Sequence, residues 1–194
     1  MRMISASSAQ LTPDVLMRPV TAEDAAGLAR SYRRSRDHLR RWEPDRDDAF
    51  FTTDGQAARL HALLAERSAG QAMPWVLERR PDDGAGEPEV VGAITLTGIV
   101  LGPFRNAHLG YWIDAGQLRR GLASAAVTAV CAAADAELGL HRVQAGTLVD
   151  NLASQRTLLK CGFTAFGTAE NYLHINGAWR DHRLFQKILN DRRP

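Results

Sequence analysis

The sequence predicts an α+β domain: a central sheet sandwiched by helices. Three observations predict it. Two capped helical stretches open the chain, beginning at Thr21 and at Thr53-Asp54. Three β-prone runs then follow at short spacing, the pattern of an antiparallel meander. An alanine-rich helix, a strand, a short helix and a hairpin turning on Asn176-Gly177 complete the chain.

Taken in order, residues 1–13 read as a poorly ordered N-terminus and 14–190 as one domain. Val15–Arg18, an apolar stretch before Pro19, reads as an edge strand. Thr21-Ala-Glu-Asp24 resembles a helix cap with acids in the first turn, and the helix it opens should run to about Leu39 with Leu28 and Tyr32 inward. Pro44 ends that region, because it disfavours helical geometry at Glu43. A second helix spans about Gly55–Ser68, with Ala58, Leu60, Leu63 and Leu64 as its stripe and Gly70 as its stop. Pro74–Arg79, Glu89–Thr97 and His108–Ile113 are the meander strands, and Pro81–Pro88 is a surface turn. Arg142–Val149 is the next strand. Asn151-Leu-Ala-Ser154 opens a short helix that Gly162 caps, and Phe163–Gly167 begins the strand leading into the hairpin.

The most informative stretch is Tyr111–Leu138. A short strand passes into a polar loop, Asp114–Arg120, and then into a helix opened by the small residues Gly121, Ala123 and Ser124. The first N–H groups of a helix lack partners within it, and its macrodipole favours an anion there. Arg119 and Arg120 could add charge-assisted bonds. This pattern fits a diphosphate. It is neither a Walker loop, since no Gly-Lys-Ser/Thr follows, nor a strict Gly-x-Gly-x-x-Gly.

Composition narrows the class. At 194 residues, with 45% hydrophobic and 24% charged residues, the chain suits a globular domain, and no apolar run reaches the ~20 residues of a membrane span. A net charge of +2 does not by itself imply a nucleic-acid partner. Cys131 and Cys161 lack ligand spacing and read as packed, reduced thiols of a cytoplasmic protein, and the six histidines show no metal motif, so no metal is expected. Seven arginines lie between Arg30 and Arg46; they read as a solvated helix face or as a docking patch for an acidic or RNA-bearing partner.

Six pieces in one order carry a resemblance: Leu39-Arg-Arg-Trp-Glu-Pro44; Gly92 within Val90–Leu96; Leu109-Gly-Tyr-Trp-Ile113; Arg120-Gly-Leu-Ala123; Asn151-x-x-Ser154 with Lys160-x-Gly-Phe163; and Ile175-Asn-Gly-Ala-Trp-Arg-Asp-His182. Over about Leu16–Leu189 the chain resembles the GNAT N-acetyltransferases, and within them the Rim-type enzymes that acetylate ribosomal proteins. The resemblance implies a mixed, mostly antiparallel sheet that splays at an acetyl-CoA site. It implies that the pantetheine arm lies along Tyr111, Trp112 and Ile113, the diphosphate at Arg119, Arg120, Gly121, Leu122, Ala123 and Ser124, and the thioester near Asn151 and Ser154. At the position where the family has Gln or Arg before the loop glycine this chain has Leu118, with Gln117 one residue earlier.

The resemblance also implies direct transfer to an amine, with Ser154 serving the departing thiolate; the bland alternative for Ser154 is a helix cap. Candidates for the base are His108, Glu43, Glu170 and His174; Leu173 occupies the position where some Rim-type enzymes have a glutamate. Trp42, Glu43, Tyr172 and His174 are the candidate acceptor contacts, Trp42 as a wall and Glu43 as a negative charge facing the amine. The leading reading is an N-terminal α-amino acetyltransferase, with a ribosomal protein as acceptor and a homodimer as the family's common assembly. The alternatives are the same chemistry on an antibiotic, polyamine or toxin amine, and a non-catalytic CoA-binding module that uses the arginine patch.

Overall fold

The computed structural model describes residues 7–80 and 86–193. The predicted turn at 81–88 therefore lies largely outside the described residues. One eight-stranded sheet runs through the molecule in the order β1-β2-β3-β4-β5-β6-β8-β7. Its strands are β1 (Ala9–Thr12), β2 (Val15–Pro19), β3 (Met73–Arg79), β4 (Glu89–Val100), β5 (Asn106–Ile113), β6 (Arg142–Leu148), β7 (Thr164–Ile175) and β8 (Ala178–Ile188). The helices are α1 (Ala25–Arg34), α2 (Arg36–Leu39), α3 (Thr53–Ser68), α4 (Leu122–Ala136) and α5 (Leu152–Lys160). All neighbouring strands are antiparallel except β5 and β6, which run parallel.

Strand alternation divides the core into two layers. Met73, Trp75 and Leu77 of β3 face α4 and α5, joining Val127, Val130, Leu158 and Phe185. Val76, from the same strand, faces α1 and α3, joining Leu28, Tyr32, Leu60 and Trp112. The sheet is thus sandwiched, with core layers packed on both of its faces.

The structure corrects four local expectations. Ala9–Thr12 is not loose: it forms β1 and pairs with β2, so β1, and not Val15–Pro19, is the edge. Farther back, the Trp75 indole donates to the Ser7 carbonyl at 3.3 Å. The helix expected over Thr21–Leu39 is a 3-10 turn at Ala22–Asp24, then α1, then α2 after a break at Ser35. Ser35 is buried there and its Oγ accepts the Ala115 N–H at 3.1 Å, a tertiary demand that local propensity does not encode. The cap of α3 is Thr52, whose Oγ1 accepts the Gly55 N–H at 3.0 Å, one residue before the expected Thr53-Asp54. Finally, the α3 stripe is narrower than its composition suggests, since Leu60 is buried, Leu63 and Leu64 are half-buried and Ala58 is exposed.

Gly92 lies where β4 pairs with the end of β5, opposite Ile113. A Cβ there would come 2.7 Å from the Trp112 carbonyl oxygen, a backbone atom that cannot step aside. Gly92→Ala should cost about 1–3 kcal/mol, the usual range for overpacking. The measurement is a thermal melt, in which that loss would appear as a Tm several degrees below wild type.

Candidate active site

β5 and β6 pair only over Asn106–His108 against Arg142–Gln144. Beyond His108, β5 follows β4 as far as Ile113 opposite Gly92. β6 instead follows β8 as far as Leu148 opposite His182. The strands therefore part into a V. Gly110 and Gly146 lie within the parting arms and put no side chain into the gap. A cavity of about 570 Å³ fills the V and extends to the N-terminus of α4.

The base of the cavity is the loop between β5 and α4. Asp114 fixes its start. The buried Asp114 carboxylate accepts from the Ser31 hydroxyl at 3.0 Å, the Gly116 N–H at 2.9 Å and the Arg34 guanidinium at 2.6 Å. Burial acts to raise this carboxyl, but the Arg34, Gly116 and Ser31 bonds together hold it below the usual carboxylate range. Arg119 and Gly121 then turn the chain at positive φ, 63° and 79°. The first α4 ladder bond runs from the Ala125 N–H to the Gly121 carbonyl at 3.0 Å, so the N–H groups of Leu122, Ala123 and Ser124 precede the ladder. All three residues line the cavity, as do Gln117, Leu118, Arg119 and Gly121.

Asp114→Asn should lower stability by about 2 kcal/mol, because the buried charged acceptor of Arg34 is lost. The sign with pH follows from the depressed carboxyl. Its stabilisation is complete above the unfolded-state value near ~3.9 and is lost as pH falls through the lower folded value. Urea midpoints between pH 7 and pH 3 check this: the gap between wild type and variant should close on the acid side.

On the β6 side, the helix α5 presents Ser154. Asn151 caps this helix, its Oδ1 accepting the Ser154 N–H at 3.1 Å. The cap is therefore Asn151, and the Ser154 hydroxyl is left for another partner. That partner is Tyr111 of β5, whose hydroxyl lies 2.8 Å from Ser154 Oγ across the V. Burial pushes the Tyr111 phenol up to about 12, so it stays protonated at neutral pH. Two hydroxyls in contact form a short relay that can place one O–H on an anionic sulfur. Gln155 holds the end of β6 in place by donating to the Leu148 carbonyl at 3.2 Å and the Val149 carbonyl at 3.0 Å.

The far wall is His38, Leu39, Trp42 and Glu43, from α2 and the turn after it. Arg41 stacks over the Trp42 ring at 4.2 Å. Burial pushes the Glu43 carboxyl up, while Arg46 and Arg59 pull it down.

Of the residues singled out in the sequence, Trp42, Glu43, Tyr111, Trp112, Ile113, Arg119, Gly121, Leu122, Ala123, Ser124, Asn151 and Ser154 share this one cavity. Arg120 does not line it. Its guanidinium turns away to Asp14, reaching the two carboxylate oxygens at 2.8 and 2.7 Å, so the predicted diphosphate contact from this side chain is replaced by a clamp on the β1–β2 turn. His108 sits at the apex of the V against the Gln144 amide, 2.7 Å from its Nε2, and desolvation together with the Arg142 charge holds its imidazole below the ordinary value. Glu170 and His174 lie outside the cavity wall. Glu170 is exposed on β7, and His174 is exposed near the hairpin tip, edge-to-face with Trp179. Tyr172 touches the site indirectly, packed against the His182 ring with centroids 5.4 Å apart.

Sequence reasoning missed His182, Thr147 and Asp114. His182 is buried and lines the cavity from β8. Its signal was present in the strand period, which puts it in phase with Leu184 and on the face of β8 opposite Phe185. Thr147 lines the cavity from β6, and its Oγ1 is buried without a hydrogen-bond partner among the described residues. Such an orphaned hydroxyl suits a ligand that carries polar groups of its own. Nothing in the local pattern of Thr147 or Asp114 announces either role.

A sheet splayed at one parallel pair, with a helix N-terminus at the open end, defines the acetyltransferase fold class. The chain belongs to the acetyltransferase (GNAT) domain family, whose model matches residues 14–164. It is 34% identical over 186 residues to the [ribosomal protein uS5]-alanine N-acetyltransferase of Escherichia coli, covering 95% of this chain and 93% of that one. The crystal structure of the ribosomal-protein-S5-alanine acetyltransferase of Vibrio fischeri superposes with a TM-score of 0.88 at 31% identity, covering 97% of this chain and all of the other. Mycobacterium smegmatis RimJ, solved in complex with CoA-disulfide, gives a TM-score of 0.83 at 32% identity over 90% of this chain and 81% of its own.

Proposed function

We propose that this protein transfers acetyl from acetyl-CoA to the α-amine of a protein N-terminus, and that a ribosomal protein beginning with alanine is the acceptor. Acetyl-CoA supplies an activated thioester; the rest falls to this chain's residues. The helix-start N–H groups of Leu122, Ala123 and Ser124 and the Arg119 charge hold the diphosphate. The edge of β5 that β6 abandons, Leu109–Ile113, offers unpaired backbone to an extended amide arm. Ser154, backed by Tyr111, donates to the departing sulfur.

One observation favours a peptide over a small amine. Leu39 and Glu43 line the main cavity and also an adjoining polar groove of about 230 Å³ that runs past Arg36, Arg40, Asp45 and Arg46. An acceptor whose amine sits at the thioester can therefore continue outward as a chain. The chemistry agrees, since an α-amine with a pKa near ~7.7–8.0 is partly neutral at pH 7, whereas a lysine near ~10.4 is not. The same reading assigns the protein to the cytoplasm. Among the described residues no helix is long and apolar enough to cross a membrane.

A CoA-release assay with mass-spectrometric readout tests the reading. The acceptor panel combines alanine- and serine-starting peptides, spermidine and an aminoglycoside. The expected product is a peptide acetylated on its α-amine. Acetylation of the small amines alone would overturn the peptide reading.

A further inference from the structure

Resting on the acetyl-transfer reading above, we infer that His182 is the catalytic residue that receives the acceptor amine's proton. The histidine is 4% exposed, and what remains of its surface faces the cavity. It lies opposite Leu148, the last paired residue of β6, on the arm of the V that faces away from β5. Its Nδ1 is 3.0 Å from the Arg180 carbonyl oxygen, which can only accept. That bond puts the hydrogen on Nδ1 and leaves Nε2 of the neutral ring as an acceptor. Among the described residues Nε2 makes no hydrogen bond of its own. Packing fixes the ring as well as the tautomer: Tyr172 lies against it, and its Cδ2 stands 3.6 Å from where a Gly146 Cβ would be.

The titratable groups around it are few. Tyr172 of β7 is in contact, and across the cavity stand His38 of α2, Glu43 of the turn after it, Tyr111 of β5 and Arg119 of the loop. His182 and the Tyr111–Ser154 pair thus serve opposite ends of one displacement. The amine lone pair forms the N–C bond, and the C–S bond breaks with its electrons on sulfur. The nitrogen gives up one proton to His182 Nε2, and the hydroxyl relay supplies one to the thiolate. The proton count closes when His182 releases its proton to water and the Tyr111–Ser154 pair takes one back from water.

The test is the pH dependence of kcat/KM for His182→Asn, because the Asn amide can still donate to the Arg180 carbonyl but cannot titrate. Wild type needs both the amine and the imidazole unprotonated, so log kcat/KM should climb with a slope approaching two on the acid side. His182→Asn should climb with a slope of one and lose about 100-fold in kcat, with acetyl-CoA affinity unchanged. Exogenous imidazole should restore turnover to His182→Ala. A slope unchanged in His182→Asn would overturn the assignment. So would a slope that flattens in Glu43→Gln instead. The profile is taken on whichever amine wild type acetylates, so a wrong acceptor shows in the product and a wrong base shows in the slope.

Discussion

Replacing Ser154 with alanine is expected to lower kcat about 100-fold while leaving the dissociation constant of acetyl-CoA within about twofold of wild type. Removing a positioned proton donor usually costs ~10²–10⁴ in rate. The lower end applies here because the Tyr111 hydroxyl, 2.8 Å from Ser154 Oγ, remains nearby and protonated. Stability should hardly change, since Asn151 and not Ser154 caps α5. Single-turnover kinetics with calorimetric CoA binding separates the two quantities. An unchanged kcat would remove Ser154 from the chemistry, and an unfolded variant would mean that its hydroxyl is structural after all.

Ser124→Asp should do the reverse, abolishing cofactor binding while keeping the fold. Ser124 is the third residue of α4 and lines the cavity where the diphosphate is assigned. A carboxylate there suits the helix, since an acid in the first turn contributes about 0.3–1 kcal/mol of favourable dipole interaction. It would also occupy the N–H groups that a diphosphate needs and repel its charge. Acetyl-CoA affinity should fall at least about 100-fold, or ~2.7 kcal/mol, with Tm equal to or slightly above that of wild type. Retained affinity would move the diphosphate elsewhere.

The legible parts of this chain were those with local causes. Asn176-Gly177 marked the β7–β8 turn, and both residues take positive φ, 48° and 79°. The alanine run marked α4, and Gly121 marked its start with a φ of 79°. The meander β3-β4-β5 followed from spacing alone. The parts that stayed hidden depend on distant partners. Arg120 reads as an anion contact beside Arg119, yet Asp14, 106 residues away, claims it through two hydrogen bonds. Ser35 sits inside a helical pattern, but an acceptor is needed for the Ala115 N–H, and α1 breaks there. Asp114 looks like an ordinary loop acid until Ser31 and Arg34 of α1 fold over it. The candidate base is the sharpest case. His108 and Glu170 drew attention through strand position and family pattern. His182, which lines the cavity from β8, lies in a strand whose flanking Asp181 and Arg183 are exposed, so that its composition hides a buried face.

The most direct test of where the chemistry sits is amide hydrogen exchange, recorded for the free protein, with acetyl-CoA, and with CoA plus an alanine-starting peptide. Acetyl-CoA should slow exchange at Tyr111–Ile113, Gly121–Ser124 and Asn151–Ser154. The peptide should add protection at Trp42–Glu43 and Gly146–Leu148. Protection by acetyl-CoA that spared the α4 N-terminus and the β5 arm would contradict the account, because the site would then lie outside the V.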